Sequence, residues 1–509
     1  LFVASFTKAA AVELAGRNRN AECIGTLHSH GYRAMKYTKK IAETQLEDWN
    51  NYAPHYALSG GKQSDVDDVR EAGSGTTPAD ELFTEMNINR ARLLPEDRWR
   101  VAVQSFARQW ERWKHQNGII DYTDMIEIPH RDIDTAPGNP AIGFFDEVQD
   151  FTPLEMALIR KWGAGMEYQV MAGDDDQCIY SWSGADPAVM IDGECAKKIV
   201  LSQSYRVPRK IHEESQRVVQ GIRQREPKEY KPRDDDGEVR RLQNANYMLP
   251  KDILKDMKRY DGKRIMILAS CSYMLNPIVK ALRDEGLPFH NPYRAKAGNW
   301  NPLRLSTDDS ASSVDRLMAF LNQIPLTKRY EFGEAQHNIT EFLLWFDAIK
   351  VAGNITRGEK ENIKARMTEL RDVHGEKMMG DMFIDAFFEK DSGIHAHKGT
   401  GDVMPAAEWY INNIAANKAK ALEYPKTIIE RRGADALKQA PSIVVGTIHS
   451  VKGGESDVVY VIPDISYNAH VAKCANISDR DAMLRLKYVA YTRARESLVL
   501  LGGATNFVM

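Results

Sequence analysis

The sequence predicts an α/β protein with two parallel-sheet domains, each interrupted by a mostly helical insertion. Three observations carry that prediction. Short apolar runs recur that end in polar or charged residues, as parallel strands do when they deliver side chains to the carboxyl edge of an open sheet. Helical periodicities lie between those runs. Two long stretches, about 36–119 and 292–434, lose the strand pattern and read as helices and loops. A chain of 509 residues also exceeds one ordinary core and fits several domains.

The elements follow in order. Leu1–Ser5 is apolar and Thr7–Arg17 is helical in character, giving strand, turn, helix. The stretch after residue 36 is polar and aromatic, with an acidic, loop-like segment over Ser64–Glu81 and a helical pattern through Trp99, Phe106, Trp110 and Trp113. From Ile142 the strands return. Ile142–Phe145 ends in Asp146 and Glu147, Tyr168–Ala172 in Gly173 and Asp174, and Lys198–Leu201 leads to Ser204, Tyr205 and Arg206. Arg264–Ala269 is a further strand with a helix after it through Leu275–Glu285. Ser442–Gly446, Val458–Ile462 and Leu498–Leu501 restore strands at the end. No repeat at solenoid periods is present.

Composition excludes several classes. With 68 basic against 71 acidic residues the net charge is -3, so any nucleic-acid contact must come from local patches. The five cysteines form no CxxC pair, which argues against a zinc site or disulfide framework and fits a reducing, cytoplasmic setting. No apolar run approaches the roughly 18 residues of a membrane span, and no signal peptide is visible. The chain starts at Leu1 in what reads as the middle of a buried strand, so its N-terminus reads as cut.

The sharpest chemical feature is Phe144-Phe145-Asp146-Glu147-Val148-Gln149-Asp150. Two acids at the end of an apolar strand suit a nucleotide hydrolase: one can hold Mg²⁺, the other can orient or deprotonate the attacking water. The same pair also suits a strand end with solvated acids. A second segment runs Gly173-Asp174-Asp175-Asp176-Gln177, then Tyr180, Trp182 and Gly184. Its three adjacent acids repel one another unless cations or donors offset them. Gln177 can hydrogen-bond a phosphate, and Trp182 can offer a face for a base to stack on. A tight turn around a buried Trp explains that segment equally well.

Taken in order, these segments resemble the motifs of superfamily 1 helicases of the UvrD/Rep/PcrA-like family. Ser5–Ala10 resembles motif Ia, Thr26–Ser29 motif Ib, Asp146–Asp150 motif II and Gly173–Ala185 motif III. Gln203–Arg206 resembles motif IV, Gly446–Glu455 motif V and Tyr488–Arg495 motif VI. The resemblance implies two RecA-like domains: 1–35 with 120–200, interrupted by 36–119, and 201–291 with 435–509, interrupted by 292–434. It implies ATP and Mg²⁺ as ligands and single-stranded and partly duplex DNA as partner, with 3′→5′ movement and no membrane.

Residue by residue, the resemblance makes Asp146 the Mg²⁺ ligand, Glu147 the catalytic base and Gln177 the γ-phosphate sensor. Tyr205 would stack on adenine, Arg206 and Arg493 would act as arginine fingers, Glu455 would meet the ribose, and Gly453 would let the backbone approach the nucleotide. Phe6, Thr7, His28, Trp182 and His449 would line the single-strand path.

Three departures qualify the match. The phosphate-binding pattern GxxxxGK[ST] occurs nowhere: Gly61-Lys62 is followed by Gln63, and Gly262-Lys263 by Arg264. In the family that loop precedes motif Ia, so the chain as given is expected to bind ATP poorly and hydrolyse it little. Ser183 stands where motif III usually carries Arg, and Gly454 where motif V usually carries a bulkier residue. Two rival readings remain: a non-hydrolysing DNA-binding remnant, and the helicase part of a RecB/AddA-like helicase–nuclease.

Overall fold

The computed structural model describes residues 1–6, 23–36, 39–59, 77–193, 195–294, 300–303, 311–323, 336–355, 357–379 and 403–509. Thr7 and the helix expected over Thr7–Arg17 lie outside them. Contacts divide the chain into two units: Leu1–Asn246 with Leu268–Met274 and Thr447–Met509, and Tyr247–Ile267 with Leu275–Gly446.

The first unit opens with a four-stranded, all-parallel sheet. Its strands are β1 (Phe2–Ser5), β2 (Cys23–Thr26), β3 (Ile142–Asp146) and β4 (Tyr168–Met171), in the order β2-β1-β3-β4. Ser5 pairs with both Thr26 and Asp146, and Phe145 with Met171. The residues that follow each strand (Phe6, Leu27, Glu147 and Ala172) therefore leave from one edge. Helix α1 (Leu27–Ala34) starts there, capped by the Thr26 side chain accepting from the Ser29 amide.

Phe2, Phe145, Phe151, Leu154 and Trp162 form the core beneath the sheet. The other face is open over β3 and β4, where Ile142, Phe144, Tyr168 and Val170 are exposed; Met171, beside Phe145 on the core face, is exposed as well, so β3 alternates and β4 is exposed along its length. The apolar strand expected ahead of the acids is thus a half-buried one.

Among the described residues, four α-helices follow β2 and α1 before the chain returns to β3: α2 (Leu46–Tyr52), α3 (Pro78–Ala91), α4 (Val101–Asn117) and α5 (Asp124–Asp132). Trp49, Phe106, Trp110 and Trp113 are the common core of the first three, because the α4 aromatics recur at helical spacing. Asp80 and Glu81 are not loop residues. Thr77 caps α3 in a reciprocal capping box with Asp80, so the acids stand in the first turn, where the helix dipole favours them. Asp121 and Asp124, where α5 begins, hold the partly buried Arg90 (2.8 and 2.6 Å) and the buried Lys114 (2.7 and 2.6 Å).

After β3 comes α6 (Pro153–Gly163), started by a Thr152–Glu155 capping box. The strand expected over Lys198–Leu201 is absent as regular structure, and Ile199, Val200 and Leu201 are exposed. An apolar run becomes a strand only when a neighbour takes its backbone groups, and no described strand does so here. Two residues on, β5 (Gln203–Pro208) pairs in parallel with β6 (Lys231–Arg233), with α7 (Arg209–Val219) between them and β7 (Glu238–Leu242) after.

The second unit carries α8 (Pro250–Met257), β8 (Ile265–Ala269, whose last two residues belong to the first unit), α9 (Asn276–Asp284) and β9 (Phe289–His290). A two-stranded antiparallel ladder joins β10 (Gln336–Asn338) and β11 (Lys377–Met379). Helices α10 (Ser313–Gln323), α11 (Ile339–Phe346), α12 (Glu359–His374), α13 (Val403–Asn412) and α14 (Glu423–Arg432) surround an apolar core that includes Phe320, Phe342, Trp345 and Tyr410. Strand β12 (Ile443–Thr447) lies between β8 and β9.

The chain ends in the first unit with β13 (Ser456–Val461), α15 (Tyr467–Ala475), α16 (Ile477–Tyr491) and β14 (Ala494–Leu501). β14 runs parallel to both β13 and β7. The architecture is mixed α/β with parallel sheets, consistent with the expected fold class.

Candidate nucleotide and DNA site

The described site residues that the sequence singled out all lie in the first unit. The site begins at the turn after β3. Glu147 takes a left-handed backbone conformation, φ +57°, rare for a residue with a side chain. The turn is fixed from below. Buried Gln149 donates to a Glu147 carboxylate oxygen at 2.5 Å, and its own amide oxygen accepts from the Asp174 backbone at 2.9 Å. Gln149 thereby ties the end of β3 to the end of β4.

Lys452 is the centre of charge. Its Nζ donates to Asp150 and to the Gln177 carbonyl, the latter at 2.8 Å, and lies 3.6 Å from Glu147. Burial pushes the Asp150 carboxyl up to about 7, although Lys452 pulls the other way. Burial, then the Glu147 charge, also raises Asp146 above the ordinary carboxylate range. A half-buried acid held up by a like charge is one that a cation would relieve. Asp146 therefore fits Mg²⁺, which takes one or two carboxylates and leaves its other positions to water and phosphate.

Opposite the carboxylates stands Arg493, 1% exposed. Its hydrogen bonds go to neutral acceptors: the Val489 carbonyl (3.0 Å), the Gly454 carbonyl (3.2 Å), the Gln177 side chain (3.1 Å) and the Thr492 hydroxyl (3.3 Å). Burial and the nearby Arg206 lower it to about 10, against the pull of Glu147. Among the described residues no carboxylate forms an ion pair with it. Gln177 is held on its other side by Asp174, to which its Nε2 donates at 2.7 Å.

Arg206 and Arg495 bracket Glu455, at 2.7 and 2.6 Å. Burial opposes ionisation of Glu455, but the two guanidiniums prevail and hold it below the usual range. A cavity of about 390 Å³ opens here, lined by Gln177, Tyr205, Arg206, Glu455, Arg493 and Arg495 among others. Tyr205 is 84% exposed at its rim, available as a stacking face. Gly453 has φ +85° with open space where a Cβ would stand, so the backbone there is bare.

The three adjacent acids have their cations. Lys228 reaches Asp174 and Asp176 at 2.9 Å each and also bonds Asp175. Arg225 grips Asp176 with two bonds of 2.8 and 2.7 Å, and Arg485 of α16 donates to the Asp175 carbonyl at 2.9 Å. These carboxylates could surround a metal by spacing, but their charge is already offset.

Phe6, Trp182 and His449 come together around a fourth ring, Tyr180. Phe6 lies 5.0 Å from it, Trp182 and His449 5.9 Å each, and Trp182 meets His449 edge-on at 6.2 Å. Lys452 sits 5.4 Å above the Tyr180 ring, and the Tyr180 hydroxyl donates to the His449 carbonyl at 3.3 Å. His28 takes no part in these ring contacts; its Nδ1 lies 3.5 Å from the buried Glu155. Ser183, in place of the usual Arg, donates to the Tyr180 carbonyl at 2.8 Å, and Arg92 supplies a guanidinium to the Ser181 carbonyl at 3.2 Å.

Sequence reasoning assigned no role to Lys452, Gln149, Tyr180 or Arg495, although each lies inside a segment that resembles a motif. The signal for Lys452 is the unbalanced acid run Glu147–Asp150, which needs a cation from elsewhere.

Residues 1–195 match the UvrD/REP helicase N-terminal domain. The putative ATP-dependent DNA helicase YjcD of Bacillus subtilis (strain 168) is 21% identical, over 94% of this chain and 68% of its own length. The ATP-dependent DNA helicase PcrA of Staphylococcus epidermidis is 21% identical, over 83% of this chain and 65% of its own. A probable DNA helicase II homolog of Mycoplasma capricolum is 23% identical, over 70% and 54%. The chain thus spans between about half and two thirds of these relatives. VirB4 of Thermoanaerobacter pseudethanolicus aligns over 52% of this chain and 69% of that one, with a TM-score of 0.14 and 11% identity, too slight to carry an argument. Residues 1–195 thus resemble the N-terminal domain of UvrD/REP helicases, and along most of its length the chain is similar to the relatives named above, PcrA among them.

Proposed function

We propose that this chain is the motor part of an ATP-dependent DNA helicase or translocase that moves 3′→5′ on single-stranded DNA in the cytoplasm. The observation that carries the reading is Arg493: a buried guanidinium with no carboxylate partner among the described residues, bonded to Gln177 and facing Glu147. A buried cation satisfied only by neutral acceptors favours the arrival of an anion, and a rigid guanidinium fork suits phosphate oxygens.

In this reading Glu147 takes the proton of the attacking water, and Gln177 and Arg493 contact the γ-phosphoryl oxygens as charge develops on them. Arg206 leaves Glu455 for the phosphate, and Arg495 keeps Glu455 turned toward the ribose. Tyr205 stacks on the adenine. Asp146 holds Mg²⁺, which neutralises phosphate charge when bound. Phe6, Tyr180, Trp182 and His449 stack on bases without regard to sequence, as a translocase requires. Lys452 links the two functions, because it touches the acids on one side and lies over Tyr180 on the other.

GxxxxGK[ST] is absent from the 509 residues, so the chain alone hydrolyses ATP little. The test compares single-strand-stimulated ATPase of the 509-residue chain with that of the same chain bearing a GxxxxGK[ST] segment ahead of Leu1. Substantial hydrolysis is expected in the second only, with a loss on the order of 100-fold or more on Glu147→Gln. Equal rates before and after that substitution would exclude Glu147 as base. No hydrolysis in either form, with single-strand binding intact, would favour a DNA-binding remnant. Displacement from 3′- and 5′-tailed duplexes tests polarity.

A further inference from the structure

The second unit holds a groove of about 1450 Å³ at the amino-terminal ends of β8, β12 and β9, the opposite edge from that where ligands meet a parallel sheet. Seven basic side chains line it against four acidic ones. The acids Asp284, Glu285 and Asp435 already have partners: Lys280, Arg431 at 2.6 Å and Lys438 at 3.3 Å. The fourth is Asp261.

The wall made by α8 and the turn after it is different. Lys251, Lys255 and Lys258 line the groove, are exposed, and form no ion pair among the described residues. Their i, i+4, i+7 spacing puts all three on one side of the helix. At 1.5 Å per residue they span about 10.5 Å, the axial length of about three phosphates on one strand of B-form DNA. The floor offers little to an apolar partner: Leu254, Met257 and Ile265 are 8, 6 and 5% exposed, and Met248 is the exposed large aliphatic side chain at the rim. A surface with unpaired charge and a closed apolar floor suits a polyelectrolyte better than an amphipathic peptide.

We propose that the α8 ridge of Lys251, Lys255 and Lys258 binds the phosphate backbone of duplex DNA, a contact separate from the base-stacking cluster of the first unit. The proposal rests on the DNA-helicase reading and adds to it the place where the duplex is held. The lysines bind without reading sequence and release about three condensed counterions.

The test is fluorescence anisotropy of the 509-residue chain with a duplex of about 20 blunt-ended base pairs and, separately, an oligo(dT) of about 20 nucleotides, over roughly 50–200 mM salt. The variants are Lys251→Ala/Lys255→Ala/Lys258→Ala and the corresponding triple Arg variant. The Ala variant is expected to flatten the duplex plot of log K against log salt by about 2.7, so that its deficit against the parent shrinks roughly 40-fold over that salt range. Oligo(dT) affinity stays within about twofold, and the Arg variant keeps the parental duplex slope. An unchanged duplex slope, or an equal loss toward oligo(dT), overturns the proposal. So does competition by poly-glutamate as strong, per charge, as that of unlabelled duplex, which would mark the ridge as a site for acidic protein. Loss of oligo(dT) binding by the parent itself would instead refute the DNA-helicase reading.

Discussion

Replacing Lys452 with Met removes the cation from a buried acid and leaves the volume nearly filled. Lys452 is 7% exposed at its side chain and Asp150 1%, so the pair is an interior one. Removing one partner of such a pair costs about 3–5 kcal/mol when the other stays charged. Asp150 has an alternative, because burial already pushes its carboxyl up to about 7 and it can take a proton. That choice makes the cost depend on pH. A carboxyl whose folded value lies above its unfolded one loses stability as pH rises between the two, and the loss stops once the folded group ionises. In the parent the loss ends near pH 7. In Lys452→Met the largest charge lowering the Asp150 value is gone, so the loss continues above about pH 7 at up to about 1.4 kcal/mol per unit.

The destabilisation by Lys452→Met is therefore expected to be steady below about pH 6 and to grow from about pH 7 to 9. Urea unfolding followed by tryptophan fluorescence at intervals of about one pH unit across that range measures it. Asp150→Asn in the Lys452→Met background should abolish the growth. A pH-independent difference, or one that shrinks toward the alkaline end, would show that Lys452 does not serve as the counter-cation of Asp150.

Phe6→Ala and Trp182→Ala should each weaken oligo(dT) binding by about 1–3 kcal/mol, equally for oligo(dC), while His28→Ala changes it less; anisotropy titrations read all three. Gly453→Ala should cost about 1–2 kcal/mol from its φ of +85° alone, since a Cβ there meets nothing, and melting curves will report it. Lys228→Met leaves Arg225 as the cation paired with the three adjacent acids among the described residues; a loss of about 2 kcal/mol at neutral pH is expected. Burial opposes it, but Arg225 and Lys228 hold Asp176 below the ordinary carboxylate range, so the Lys228 contribution disappears as pH falls through that lowered value. Urea midpoints at neutral pH and near about pH 3 test it.

How far the sequence could be read depended on range. Strand ends were legible because a strand that delivers function shows apolar residues and then acids, as Phe144–Glu147 does. Helix α4 was legible from aromatics at helical spacing. The start of α3 was not: Asp80 and Glu81 look like loop acids until Thr77 is seen as their cap. The Lys198–Leu201 run has the right composition for a strand, but strand formation requires a partner, which composition does not supply. Within the site, the residue types were legible and the pairings were not. Lys452 meets Asp150 across 302 positions of chain, and Arg493 meets Gln177 across 316. No local pattern encodes such contacts. Tyr180 was named in the sequence but given no role, because Trp182 beside it has the larger stacking face, whereas the fold puts Tyr180 at the centre of the ring contacts.

Strand β4 has a consequence for handling this chain. It stands last in its sheet among the described strands, is exposed along its length, and reads Tyr168-Gln169-Val170-Met171. Nothing in it resists a foreign strand, since it carries no charge, proline or bulge of the kind that protects sheet edges. Concentrated solutions should therefore accumulate edge-to-edge oligomers. Gln169→Lys would place a charge on that edge without touching Asp146, Lys452 or Arg493, and would turn a sticky protein into a tractable one.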